Sequence, residues 1–268
     1  FHMTPLGPQL IEINTNAGGA MLNAVLYAAF SQQPNGVGGI YRHFNFDAVF
    51  LDMFRQEFAR QRGGVPLESI AIVDSDPVQQ YLYPEFVLFA EAFTRLGVPT
   101  FVIDPSELQL KNNQLFFNQQ RIDLVYKRLT DFALADPKHA ILREAYLCDA
   151  VVLTPNPHAY ALYADKRNLT LLGNPAQLKE WGVSDATRQI LSQGILETRQ
   201  VSAAEAPYFW ESRAQWFFKP FGGFGGKAVY RGNRVTRGVF SAIVNGGYLA
   251  QRYSAPSECA LSLVENNS

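Results

Sequence analysis

The sequence is poor in the residues on which metal and redox chemistry usually depend. Its two cysteines, Cys148 and Cys259, stand far apart with no Cys-x-x-Cys partner, which argues against a disulfide framework and a structural zinc site. Inert thiols in a reducing cytoplasm are the expectation. His2, His43, His139 and His158 occur in unrelated contexts with no His-Glu-x-x-His spacing, so a histidine-bound zinc is not indicated. A Gly-x-Ser-x-Gly elbow, the mark of many esterases, is missing too. Excess charge is also lacking. A formal net charge of -1 provides no broad field for a polyanion, so nucleic acid is not an expected partner and any anion site has to be local. No apolar run approaches the roughly 18 residues of a membrane-spanning helix. The N-terminus lacks the charged-then-apolar pattern of a signal peptide. A cytoplasmic protein without membrane contacts is therefore expected.

What is present is an ordinary globular composition, 47% hydrophobic and 18% charged over 268 residues, with no internal repeat or low-complexity tract. A chain of that length buries a sizeable core and commonly forms two lobes or domains. Near the N-terminus QLIEIN (9–14) alternates as a half-buried strand, followed by an Asn-Ala-Gly-Gly turn and the small-residue helix AMLNAVLYAAF. PNGVGG (34–39) reads as a loop, and FDAVFLDMFRQEFARQR places Phe, Leu and Met in one helical apolar stripe. SIAIVD, a helical pattern from Val78 to Leu96 stopped by Gly97, and PTFVID together form a β-α-β unit of a Rossmann-like layer. A hairpin through NNQ leads to the strand RIDLVYKR, then to a helix over 136–148 and the strand AVVLTP. Short helices follow up to about Arg213. The chain closes with a strand, a glycine-rich loop, a second strand, a hairpin at Gly232–Asn233, a helix near 237–245 and the strand YLAQRY. The class is α/β or α+β.

WFFKPFGGFGGKAVYRG (216–232) sets four glycines and two lysines between two strand-like runs. A Walker A loop fails twice here, because Phe221 stands where glycine is needed and Ala228 where Ser or Thr is needed. A dinucleotide fingerprint fails because Ala228, Val229 and Tyr230 continue as strand rather than opening a helix. There remains a loop between antiparallel strands whose backbone N–H groups can close over phosphates, with Lys219 at the end of the first strand to meet the charge. The plain alternative is a glycine-rich hairpin with solvated lysines.

Three other stretches join this loop in a pattern that resembles the ATP-grasp superfamily. DKRNLTLL offers Lys166 as a first-lobe lysine, FFKP offers Lys219 as the second, GGFGG (Gly222, Gly223, Gly225, Gly226) is similar to the lid, and YLAQRY resembles the hinge with Gln251 near the adenine edge. IEINTNAGG and DLVYKR are similar to segments of the eukaryotic-type, circularly permuted glutathione synthetases. The resemblance implies Glu12 and Asn14 as ligands of Mg2+, Arg128 as the substrate contact, and ATP as cosubstrate. It also implies an acidic metal ligand four residues after Lys219, where this chain has Gly223, and serines where it has Ala17 and Gly19. Read on their own, Glu12 and Asn14 are two apart in a strand and so leave one face together, with Ile11 and Ile13 pointing into the core. They are hard oxygen donors suited to magnesium, or else part of a solvated face. Arg128 ends an apolar strand, where a planar fork serves a carboxylate or phosphate; an ion pair with Asp131 is its structural alternative. Lys166 stands in the charged run Asp165–Lys166–Arg167, which a solvated helix start would also explain. The DSDP segment (74–77) follows a strand, where it is either a substrate contact or a plain Asp-Pro turn.

The expected function is an ATP-dependent carboxylate–amine ligase, glutathione synthetase-like, working through an acyl phosphate on amino acid or peptide substrates. The alternatives are an ATP- or substrate-binding protein without ligase activity and a plain α/β scaffold. The expected domains are 1–65, with the metal-binding element; 66–155, a Rossmann-like substrate domain; 156–213, the first ATP-grasp lobe; and 214–268, the second lobe with its lid. Relative to the resembled family the second lobe looks truncated, since only residues 252–268 follow Gln251.

Overall fold

In a computed structural model of the chain, which describes residues 1–5, 7–31, 44–223, 225–256 and 258, Ile70, Ala71, Ile72 and Val73 are all fully buried. A strand apolar on both faces needs a cover on each side, which is the situation of a parallel sheet between helical layers. PNGVGG, His43 and Cys259 lie outside the described residues. The chain divides into two units, one of Phe1–Thr15 with Ala161–Ala260 and the other, among the described residues, of Asn16–Tyr160.

The chain enters the first unit with the hairpin β1 (His2–Thr4) and β2 (Gly7–Gln9). QLIEIN is not a strand beyond that point: Leu10 makes a single parallel bridge to Ile195, and 11–14 run on as irregular chain. Alternation alone does not make a strand when no partner strand accepts its hydrogen bonds. The facing pattern fails with it, because Ile13 is exposed, as Glu12 and Asn14 are.

The second unit begins with α1 (Ala20–Ser31) and α2 (Phe46–Arg62). Asn45 caps α2 by accepting the Ala48 N–H at 3.1 Å, and Gly63 closes it. Leu51, Phe54 and Phe58 form the buried stripe of α2, whereas Met53, expected on that stripe, is exposed. β3 (Ile70–Val73), α3 (Tyr83–Arg95) and β4 (Thr100–Ile103) form the anticipated β-α-β unit. The helical pattern from Val78 begins as a short 3-10 turn, Pro77–Gln79, and the helix proper starts only at Tyr83. β5 (Gln109–Lys111) and β6 (Gln114–Phe117) join through Asn112 and Asn113, both at positive φ, as a two-residue hairpin demands. A second such turn, Asn118–Gln119, leads to β7 (Gln120–Ile122).

RIDLVYKR is thus two strands rather than one. It breaks at Asp123, with β7 in the small three-stranded sheet and β8 (Leu124–Lys127) in the parallel sheet. α4 (Ala140–Leu147) and β9 (Val152–Thr154) complete the parallel order β4-β3-β8-β9. The two-residue period of the strands sends Ile70, Ile72 and Leu124 to a core shared with α1, α2 and α3, where Phe54 meets the Tyr126 ring at 4.9 Å. It sends Ala71, Val73 and Val125 to the core under α4 and the small sheet.

After α5 (Pro157–Tyr163) the first unit resumes with α6 (Asn168–Leu172), α7 (Pro175–Glu180) and α8 (Asp185–Gly194). β10 (Thr198–Gln200), α9 (Ala206–Glu211), β11 (Trp216–Pro220), β12 (Tyr230–Arg231), α10 (Arg237–Asn245) and β13 (Tyr248–Arg252) follow. Its antiparallel sheet has the order β10-β13-β11-β12. Two details differ from the sequence reading. Residues 227–229 are turn and coil, Ala228 being at positive φ, so that the second strand starts at Tyr230. Gly232–Arg234 is a 3-10 turn rather than a hairpin, because its chain runs on into α10 instead of folding back.

Candidate functional site

On β11, Trp216 and Phe218 are buried in a core with Phe209, Phe240 and Ala250, so Phe217 and Lys219 project from the other face of the sheet. Antiparallel pairing sets Phe217 opposite Gln251 and Lys219 opposite Leu249, which makes Lys219 and Gln251 diagonal neighbours on that face. The long side chains close the diagonal: Lys219 Nζ donates to Gln251 Oε1 at 2.8 Å and to the Ile11 carbonyl at 3.0 Å. Gln251 in turn donates to Thr198 Oγ1 on β10 at 3.4 Å. Both ends of its amide are engaged and it is 2% exposed, so in this structure its side chain orients Lys219. Burial pushes the Lys219 ammonium below its usual range, with the nearby Glu12 carboxylate opposing that fall and Lys166 adding to it.

Lys166 precedes α6. Asp165 and Arg167, its neighbours in the charged run, pair with each other at 2.5 Å, and Lys166 turns instead to the glycine-rich loop. Its N–H donates to the Phe221 carbonyl and its Nζ to the Gly223 carbonyl, both at 3.1 Å. Gly223 has a φ of +110, outside what side chains readily adopt; an acidic residue at this place in the loop, as in the resembled family, would be strained. Gly225 and Gly226 also lie at positive φ and Gly222 is open on all sides, while Phe224 falls outside the described residues. Four of the residues singled out from sequence, Glu12, Lys166, Lys219 and Gln251, therefore interact within one unit. Asn14 and the loop glycines belong to the same unit. Among the described residues no group of three or more His, Cys, Asp or Glu is arranged to hold a metal ion. Glu12 and Asn14, both exposed on irregular chain, are hard oxygen donors of the type magnesium takes when water and phosphate oxygens complete its shell.

Arg128 belongs to the second unit, at the carboxyl end of β8. It is 7% exposed and stacks on the Tyr126 ring at 5.1 Å. One terminal nitrogen donates to Asn16 Oδ1 at 2.6 Å, the Ala17 carbonyl at 2.9 Å and Tyr126 Oη at 3.2 Å, while Nε is buried without a partner. Asp131 is not its partner, contrary to the simplest structural alternative: that carboxylate accepts from His139 and from the Ala135 and Asp136 amides. Asp74, at the end of β3, is pushed above the usual carboxylate range by burial, against the pull of Arg128.

Three features here escaped the sequence reading. Glu85, 1% exposed, accepts the Gly19 and Met21 N–H groups at 2.7 and 2.9 Å and so fastens the start of α1; a lone acid inside the apolar run YPEFVLF was its only sign. Lys127 is 1% exposed, donates to the Asp131 and Phe132 carbonyls, and has its pKa pushed down by burial to about 8. Third, Ser75, His139 and Asp131 form a hydrogen-bonded chain of 3.2 and 2.8 Å. Its order is that of a hydrolase triad, but the Ser75 and Asp76 amides already donate to the Asp74 and Asp104 carboxylates, so they offer no hole for an oxyanion.

No protein-family model matches the sequence, and no curated protein matches it either. Among solved structures, a glutathione synthetase-like effector from Globodera pallida superposes over 96% of this chain with a TM-score of 0.60 at 13% identity. The chain shares the fold of that effector. It spans 58% of the length of that effector. D-alanyl-alanine synthetase A from Vibrio cholerae matches 70% of this chain and 61% of its own, with a TM-score of 0.40 at 8% identity. The ATP-grasp ligase PsnB, complexed with minimal precursor, Mg and ADP, matches 69% and 65%, with a TM-score of 0.37 at 17% identity. Both of these are likenesses to part of the fold. The mixed α/β fold expected from the sequence is thus matched over most of the chain.

Proposed function

We propose that the first unit binds the triphosphate of ATP and that the chain contributes to an ATP-dependent carboxylate–amine ligase of glutathione synthetase-like type. The observation that carries this reading is the gathering of Lys219, Lys166 and Glu12 at the foot of a glycine-rich loop, on one face of an antiparallel sheet. Lys219 is held by Gln251 and the Ile11 carbonyl in a fixed, partly desolvated position, where a phosphate oxygen replaces neutral acceptors with a charged one. Lys166 and the loop amides meet the same anion. Glu12 and Asn14 would hold Mg2+, which supplies neutralisation of phosphate charge. In the reaction, a substrate carboxylate attacks the γ-phosphorus to give an acyl phosphate and ADP; an amine then displaces phosphate and loses its proton as the amide forms. The chain's residues position the groups and balance charge, with Arg128 as the contact for an amino acid or peptide substrate. Residues 156–213 and 214–268 form the two lobes of the nucleotide clamp in this scheme.

Phosphate release from magnesium-ATP, screened against amino acids and short peptides, tests the activity. Amine- and carboxylate-dependent release is expected, and Glu12→Ala should abolish it while the circular dichroism spectrum is retained. ATP binding without release under any substrate pair would instead favour a nucleotide-binding protein lacking ligase activity.

A further inference from the structure

A second cationic feature of the first unit lies at the β12 edge of the sheet, where the chain leaves the glycine-rich loop. Phe217, Val229, Tyr230, Arg231 and Arg234 line a cavity of about 410 Å3. The 3-10 turn Gly232–Arg234 brings the two arginines there by packing directly on the chain at 213. A Cβ on Gly232 would fall 1.7 Å from the Arg213 carbonyl oxygen, so only glycine permits the approach. Arg213 and, at the start of α10, Arg237 follow the same packing and stack on Trp210 at 4.2 and 4.6 Å. Arg231 lies over the Tyr253 ring at 4.4 Å.

None of these four arginines forms an ion pair among the described residues. The contrast is with Arg62, Arg95, Arg167, Arg188, Arg199 and Arg252, each of which has a carboxylate partner. Stacking engages the face of a guanidinium and leaves its in-plane N–H fork to donate. Arg231 has a donor to spare, because its Nε is buried with no hydrogen-bond partner. A buried, unpartnered donor on a permanent cation costs stability unless an acceptor reaches it.

We propose that this groove is a phosphate-binding site, with Arg231 and Arg234 as its direct donors. The two arginines lining it, neither paired with a carboxylate among the described residues, favour a doubly charged oxyanion over a single carboxylate, since phosphate groups carry about -1.5 to -2 near neutral pH. Its donors are different residues from Lys166 and Lys219, although Phe217 shares the sheet face of Lys219.

Calorimetric titration of the full chain with pyrophosphate, and separately with acetate, tests it. Wild type is expected to bind pyrophosphate with an affinity that falls as salt rises, and acetate at least about tenfold more weakly. Arg234→Gln, an exposed position, should weaken pyrophosphate about tenfold or more, the usual loss for a charge-assisted hydrogen bond. Arg231→Gln should do the same, with a melting curve to verify folding. Lys219→Ala separates the two sites: pyrophosphate binding that survives this change and is lost in Arg234→Gln supports the groove. Binding that disappears in Lys219→Ala and persists in both arginine variants overturns it, as does an absence of pyrophosphate binding, or acetate binding as tightly as pyrophosphate.

Discussion

Lys219→Met puts the phosphate-binding reading to its most direct test, because the structure separates the effect on stability from the effect on ligand. Methionine keeps much of the stem volume and removes the ammonium. The hydrogen bonds to the Ile11 carbonyl and Gln251 Oε1, at 3.0 and 2.8 Å, are lost, and Gln251 at 2% exposure keeps an orphaned oxygen. Orphaning a buried acceptor costs about 1–3 kcal/mol. The removed charge was itself disfavoured by burial, as the lowered pKa shows, which offsets part of that cost; a net change within about 2 kcal/mol is expected. The loss for ligand has no such offset. One charge-assisted hydrogen bond to phosphate contributes about 1.5–3 kcal/mol, so affinity should fall about 10- to 140-fold. Calorimetry with a non-hydrolysable ATP analogue and Mg2+ measures it, with thermal melting as the control for folding. The pH dependence adds a second reading. Since the folded-state pKa of Lys219 is depressed, the ammonium, and the affinity with it, is lost at lower pH than for an ordinary lysine, and the methionine variant should lack that titration. A folded variant that binds within about twofold of wild type would refute the reasoning.

Lys127 gives a prediction about stability. Its pKa falls from 10.5 to about 8 on folding, so between those values the unfolded chain binds more protons and stability rises with pH, by up to about 3 kcal/mol across the window. Urea midpoints of wild type and Lys127→Met at pH 7.5 and 10, followed by far-UV circular dichroism, should show this increment in wild type only; equal pH dependence in both would contradict it. Glu85→Gln leaves one oxygen to serve the two amides of Gly19 and Met21 and should destabilise by about 1–3 kcal/mol. A urea midpoint unchanged from wild type would show that the carboxylate does not fasten α1.

Local pattern was a good guide wherever an element is held by its own neighbours. α2 occupies the stretch that its apolar spacing marks, Phe46–Arg62, and the Asn112–Asn113 turn lies where its residues ask for it. The strand pattern of IAIV and the stop at Gly97 also hold. Pattern misled where an element depends on a distant partner. QLIEIN alternates like a strand but finds only a bridge to Ile195, and RIDLVYKR is continuous in hydropathy while serving two sheets. Charge followed the same division. Glu85 and Lys127, both 1% exposed, differ from solvated residues in sequence only by their apolar neighbours, which do not say what each will bond.

The amino-acid order by itself determined the α/β class, the glycine-rich loop between two antiparallel strands, and the residue types able to meet phosphate and magnesium, because propensity, periodicity and side-chain chemistry act over a few residues. Tertiary structure decided which of those residues meet. Lys219 reaches Gln251 and the Ile11 carbonyl, Lys166 reaches the Gly223 carbonyl, and one terminal nitrogen of Arg128 reaches Asn16 and Ala17. Such contacts join positions up to 208 residues apart, and only burial and strand register, which are properties of the whole chain, bring them together.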